Sequence, residues 1–209
     1  MLRAGGEALA DAELLAVLLD TGPAHEPALE RAQEILATIG GLAGLVDAHH
    51  HFRHRPGIGA GEAATLLAAR EIACRLAKEA ILDCELLDRP EAVAGYLSLR
   101  YGRSEQEVMG VLFLDVRNRL VGEMEVFRGT LHRLAVEPRA ILKSALMCGA
   151  WGFVLFHSHP SGDPAPSPED LEFTRRVAEA ADLVGIRLLD HVIFATNGSF
   201  VSLQRRGAW

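Results

Sequence analysis

The spacing of apolar residues changes character between residues 85 and 90, and this change most limits what the chain can fold into. Before it, apolar residues recur at helical intervals. After Glu105 they fall in short continuous or alternating runs bounded by turn residues, as strands do. In the first part "GEALADAELLAVLLDTG" reads as a helix that stops at Thr21-Gly22-Pro23, and "EPALERAQEILATIGG" as a second that ends on a glycine pair. "GGLAGLVDAHH" reads as a third, shorter helix and "GIGAGEAATLLAAREIACRLAKEA" as a long Ala-rich fourth. In the second part Pro90 opens a helix, and "EVMGVLFLDV" and "RLVGEMEVFRGTL" read as strands joined by a hairpin at "DVRNRL". Pro138 begins the helix of "EPRAILKSALMCGA", "WGFVLFHSH" is a short apolar strand, and "SPEDLEFTRRVAEAADLVG" is an amphipathic helix closed by Gly185. "IRLLDHVIFAT" and "SFVSLQ" read as final strands around a turn at Asn197-Gly198. The expectation is a small all-helical N-terminal domain, residues 1–88, followed by an α/β layered domain, residues 89–209.

Composition bounds the function classes. With 49% hydrophobic residues in 209, a real core can form, and no apolar run is long enough to span a membrane. The opening "MLRAGGEALADAELLAVLLD" sets acids inside its apolar stretch, so it is read as a helix and not as a signal peptide. Cys74, Cys84 and Cys148 are scattered and in no CxxC spacing, as expected of reduced thiols in the cytoplasm. Charge is uneven: residues 1–88 hold 7 Lys and Arg against 14 Asp and Glu, whereas residues 89–209 hold 14 against 14. A nucleic-acid surface is normally basic, so the first part is poorly suited to that role.

The densest chemistry lies in "FHSHPSGDPAPSPEDLEFT", residues 156–174. Strand side chains repeat every second residue, so His157 and His159 point to one side at the end of "WGFVLF" and can share a metal ion. A catalytic zinc takes about three protein ligands and a water. Asp170 stands in the first turn of the next helix, and a loop with Gly162, Pro164, Pro166 and Pro168 can fold it back over the strand end. An ordinary account also exists: Ser167 as N-cap, Pro168 at the first helical position and Asp170 three residues on form a near capping box. The two accounts compete for the Asp170 carboxylate.

The run H-x-H-P, six residues, then S-x-x-D resembles the signature of JAMM (MPN+) metalloproteases, with five fixed residues over fourteen positions. That family also needs an upstream glutamate. "EVMGVLF" supplies Glu107 with Gly110 three residues on, as in the family's E-x-x-G, and Glu105, Glu123 and Glu125 are the competitors. "HPSGDPAPSPEDLEFT", "LLDHVIFA", "RGTL" and "EPRAILKSAL" resemble the bacterial RadC-like branch, which usually has Asn where Ser158 stands. "LADAELLAVLLDTG" and "RPGIGAGEAATLLAAREI" are similar to its helical N-terminal part. The resemblance implies a JAMM-type, cytidine-deaminase-like α/β domain with a mixed sheet, and a zinc-dependent hydrolase of amide, peptide or isopeptide bonds acting on a peptide or protein. It would make His157, His159 and Asp170 the Zn2+ ligands, with a water in the fourth place, Glu107 the general base and Ser167 the oxyanion donor.

Other residues have two readings. Asp163 can reach the metal or form a turn, and Asp190 and His191 can orient a ligand or simply hold strands together. The cluster "HHHFRH", with His49, His50, His51 and His54, can bind metal adventitiously or form a solvated helix end and loop, and the second is favoured. "RPGIGAGEAATLLAA" resembles a helix-hairpin-helix, whose helix N-terminus can hold a DNA phosphate. RadC-like proteins often carry Lys where Glu62 stands, so an acid here meets the approaching phosphate. Packing or protein contact is therefore favoured over nucleic acid. The rival function is that of a DNA-associated accessory protein, in repair or recombination, with a structural or vestigial metal site.

Overall fold

The computed structural model describes residues 5–19, 25–45, 56–82, 90–102, 106–129 and 136–208. The chain divides into two compact units, Met1–Ala73 and Cys74–Trp209. Among the described residues, no helix is long and apolar enough to cross a membrane.

The first unit is helical. A 3-10 turn at Gly6–Ala8 precedes α1 (Asp11–Leu19), α2 (His25–Ile39), a second 3-10 turn at Leu42–Leu45 and the start of α3 (Ala60–Leu82). Leu15, Ala32, Ile35, Ile39, Ala63 and Leu66 form its core. The single helix expected from "GEALADAELLAVLLDTG" is broken in two. The Ala10 N–H donates to the Glu13 carboxylate at 2.7 Å, which starts a new helix at Asp11. Of "GGLAGLVDAHH" residues 40–45, which include the 3-10 turn, lie within the described residues, and Thr21-Gly22-Pro23 and "HHHFRH" lie outside them.

The second unit continues with α4 (Pro90–Tyr101), β1 (Glu107–Leu114), β2 (Leu120–Gly129), α5 (Pro138–Met147), β3 (Gly152–His159) and α6 (Pro168–Leu183). It ends with β4 (Arg187–Ala195), β5 (Phe200–Ser202) and the short α7 (Leu203–Arg206). The sheet is mixed, in the order β2-β1-β3-β4-β5. β1 runs antiparallel to β2 and β3, β3 and β4 are parallel, and β5 returns antiparallel to β4. The parallel pair needs a crossover, and α6 supplies it.

Both sheet faces are covered, which is why the central strands read as continuous apolar runs. Alternate residues serve different cores. Val108, Leu112, Val154, Phe156, Val192 and Phe194 pack with Val93, Tyr96 and Leu97 of α4. Met109, Val111, Phe113, Phe153 and Leu155 pack with Ile141 and Ala145 of α5 and Phe173 and Val177 of α6. Gly110 has no room for a side chain: a Cβ there would lie 2.3 Å from the Phe156 ring and 2.6 Å from the Met124 carbonyl. The E-x-x-G glycine thus has a steric cause.

"SFVSLQ" does not stay extended as expected. The strand ends at Ser202, whose hydroxyl accepts from the Arg205 N–H at 3.2 Å and caps α7. Asp190 reinforces this turn by accepting from the Ser202 hydroxyl at 2.7 Å and the Gln204 N–H at 3.0 Å.

Candidate metal centre

The alternation that sorts the cores also builds the site. Phe153 and Leu155 face α6, so His157 and His159, two and four residues further along β3, face it as well. α6 begins at Pro168 and brings Asp170 over this strand end. Among the described residues, His157, His159 and Asp170 form the group that could hold a metal ion, their ligand atoms all within 4.8 Å of one another. The two Nε2 atoms are 2.7 Å apart. His157 Nε2 lies 3.3 Å from Asp170 Oδ1, and His159 Nε2 lies 3.6 Å from Asp170 Oδ2. His157 and Asp170 are almost fully buried, while His159 keeps 12% side-chain exposure.

The capping box and the site do not compete for Asp170, contrary to the sequence expectation. The Ser167 hydroxyl accepts from the Asp170 N–H at 3.1 Å, and the Asp170 carboxylate accepts from the Ser167 N–H at 2.7 Å. The same hydroxyl donates to Asp170 Oδ2 at 2.6 Å. These bonds hold the carboxylate at the helix start while it still faces both imidazoles. A carboxylate oxygen has room for more than one partner.

Each imidazole is held from its far side. His159 Nδ1 is 2.8 Å from the Asp163 main-chain carbonyl, which can only accept, so His159 donates there and Nε2 is the ring nitrogen that faces Asp170. His157 Nδ1 is 2.8 Å from His191 Nε2. The donor set therefore suits a cation: two imidazole nitrogens and a carboxylate converge on one place, the N2O chemistry of a zinc site. Asp170 raises the pKa of His159. Burial pushes the Asp170 pKa up, but His159, His157 and Ser167 outweigh it and hold the carboxyl well below the usual range.

The remaining residues fall in distinct places. Glu107 opens β1, half-buried, and its charge is near enough to contribute to the raised His159 pKa. Ser158 steadies this strand end, its hydroxyl accepting from the Val108 N–H at 2.9 Å. The competitors lie elsewhere. Glu123 is bound by Tyr96, Tyr101 and Lys78, and Glu125 pairs with Arg128 at 2.7 Å. Glu105 falls outside the described residues. Asp163 is a turn former through its side chain, accepting from the Ala165 N–H at 2.9 Å, and an orienting group through its carbonyl. Asp190 points away from His157, to Ser202 and Gln204. His191 is fully buried beside His157, and burial pushes its pKa down to about 4.

Thr174, 2.7 Å from His191 Nδ1, was not foreseen. Its one sequence signal is its spacing, a helical turn after Asp170 on the same face.

A helical unit ahead of an α/β unit, whose mixed sheet carries this His-His-Asp group at a strand end, defines the class. A family model, the RadC-like JAB domain, matches residues 87–208, and the UPF0758 N-terminal model matches residues 1–64. The chain belongs to the RadC-like JAB-domain family. Among its relatives, a UPF0758 protein of Carboxydothermus hydrogenoformans is 42% identical over 205 residues, covering 98% of this chain and 90% of the relative. UPF0758 proteins of Aromatoleum aromaticum and Halorhodospira halophila are each 41% identical over 208 residues, covering 99% of this chain and 92% of theirs.

Proposed function

We propose that the protein is a cytoplasmic zinc-dependent hydrolase that cleaves amide, peptide or isopeptide bonds of a peptide or protein substrate. One observation carries this reading: two imidazole nitrogens and a capped carboxylate converge within 3.6 Å, almost removed from solvent. A buried carboxylate beside two histidines is costly to maintain for packing alone. His157, His159 and Asp170 would hold Zn2+. When bound, zinc would supply a Lewis acid and bring the pKa of water down to ~7.

Glu107 is the candidate base. It begins β1 and its charge contributes to raising the His159 pKa, and in this reading it would take a proton from the attacking water and return it to the leaving nitrogen. Ser167 is the candidate oxyanion donor, a role worth roughly 3 kcal/mol. Its hydroxyl donates to Asp170 in this structure, so that role requires it to rotate from Asp170 to the substrate. Among the described residues, Cys74 and Cys148 are reduced thiols, which fits a reducing compartment.

Metal analysis of the purified wild type, His157→Ala and Asp170→Asn, after zinc supplementation, tests the site. Wild type should hold one zinc and both variants should lose it. A wild type without zinc removes the reading, and equal zinc in all three moves the ligands elsewhere. Glu107→Gln should keep the zinc yet lose at least about a hundredfold in turnover of a mixed peptide library read by mass spectrometry. Unchanged turnover would take the base role from Glu107.

A further inference from the structure

Behind His157 lies a row of buried polar groups that does not face Asp170's carboxylate. His157 Nδ1 is 2.8 Å from His191 Nε2, and His191 Nδ1 is 2.7 Å from Thr174 Oγ1. The Thr174 hydroxyl lies 2.6 Å from the Asp170 main-chain carbonyl. Thr174 and His191 are both fully buried. The row links three elements: β3 through His157, β4 through His191 and α6 through Thr174.

The direction of every bond in the row follows from the chemistry of its ends. A threonine hydroxyl carries one hydrogen, and a main-chain carbonyl can only accept. Thr174 therefore donates to Asp170 O, and towards His191 its oxygen accepts. His191 Nδ1 must then carry hydrogen. Neither ring nitrogen of His191 bonds a carboxylate, and a fully buried imidazole in that position is neutral. Its Nε2 is bare and accepts from His157. His157 Nδ1 is thus the donor, and its own hydrogen is placed away from the site. In the neutral ring, Nε2, which faces His159 and Asp170, then carries the lone pair.

We propose that Thr174, acting through His191, sets the tautomer of His157 and so makes that histidine competent to ligate. This inference rests on the reading of His157 as a metal ligand. Thr174 and His191 are positioning residues: each acts through the ring before it. The device matches what His159 obtains more simply from the Asp163 carbonyl. His157 is buried, and there a buried side-chain relay does the same work. Outer hydrogen-bond partners of this kind typically change metal affinity by about 10–100-fold.

Thr174→Val keeps the side-chain shape and removes the acceptor. His191 then has no partner for an Nδ1–H, and its better tautomer carries hydrogen on Nε2. That hydrogen points at His157 Nδ1, which must accept, and the His157 hydrogen moves to Nε2, where it blocks ligation. Thr174→Ser retains the hydroxyl and should restore the row.

Two measurements on the full chain test this. Long-range 1H–15N spectra of the metal-free protein should show His157 and His191 both protonated at Nδ1 in wild type and Thr174→Ser, and both at Nε2 in Thr174→Val. Zinc competition against a chromogenic chelator should show affinity about 10–100-fold weaker in Thr174→Val and close to wild type in Thr174→Ser. Wild-type His157 without hydrogen at Nδ1 overturns the proposal, as does Thr174→Val with wild-type affinity or Thr174→Ser as weak as Thr174→Val. If Thr174→Val does not fold, the wild-type spectrum decides alone. Failure of wild type to bind zinc would instead sink the metal reading, while the spectra still report the relay.

Discussion

Asp170 shows how one residue can serve structure and chemistry together. Its carboxylate accepts from the Ser167 N–H and hydroxyl, and it faces the Nε2 atoms of His157 and His159. The two duties separate by substitution. Asparagine keeps a side-chain oxygen for the Ser167 N–H but loses the charge that an ion needs, and alanine loses both. Losing one side of a capping box costs about 1 kcal/mol. In a chelator, urea unfolding should therefore place Asp170→Ala about 1 kcal/mol below Asp170→Asn, with neither variant retaining zinc. Equal stability of the two would mean that the carboxylate does not support the helix start.

At the scale of elements, the strands and helices around the site were legible because their signals are local. Pro138, Ser167-Pro168 and Gly185 punctuate α5 and α6, and the run "WGFVLFHSH" marks β3. What was not legible depends on partners far away in sequence. Nothing local says that Asp190 will accept from Gln204 and turn "SLQ" into a helix, or that Thr174 will meet His191, seventeen residues on. Glu123 is the clearest case. In sequence it competes with Glu107. In the fold it ties β2 to α3 and α4, accepting from Lys78 at 2.9 Å and from Tyr96 and Tyr101 at 2.6 Å each. Burial pushes its pKa up, but the hydrogen bonds from Tyr101, Tyr96 and Lys78 outweigh this and leave it lowered. A carboxylate with a depressed folded pKa contributes stability that is complete above the unfolded value, ~4.3, and is lost as pH falls through the folded value. Glu123→Gln should be roughly 1–3 kcal/mol less stable than wild type near neutral pH. The gap should narrow as urea unfolding is repeated below about pH 5. A gap independent of pH would show that the charge of Glu123 contributes nothing.

At the scale of the whole molecule, the question is whether the helical unit meets nucleic acid. All the net charge of −7 falls in residues 1–88. The local structure of the hairpin-like segment agrees with that balance. Where a phosphate would sit, the Glu62 carboxylate accepts from the Gly59 N–H at 2.7 Å. Arg31 grips the same carboxylate through Nε at 2.6 Å and Nη2 at 2.7 Å, and it also donates to the Gly57 carbonyl at 2.6 Å. The helix N-terminus is thus already supplied with an anion from its own chain, and Arg31 beside it is already engaged. DNA affinity rests on cations that displace counterions, so a chain with this charge and a filled anion position has little to offer a duplex. We expect no binding of the full chain to double-stranded DNA at about 50 mM salt, where non-specific binding is strong. Fluorescence anisotropy across a salt series is the measurement. Binding that falls steeply with salt, and that is lost on Gly57→Val or Gly59→Val in a folded protein, would return the segment to nucleic acid. In its absence, the Arg31–Glu62 pair is a lock between α2 and the start of α3, and Glu62→Ala should lower the stability of the first unit without changing DNA binding.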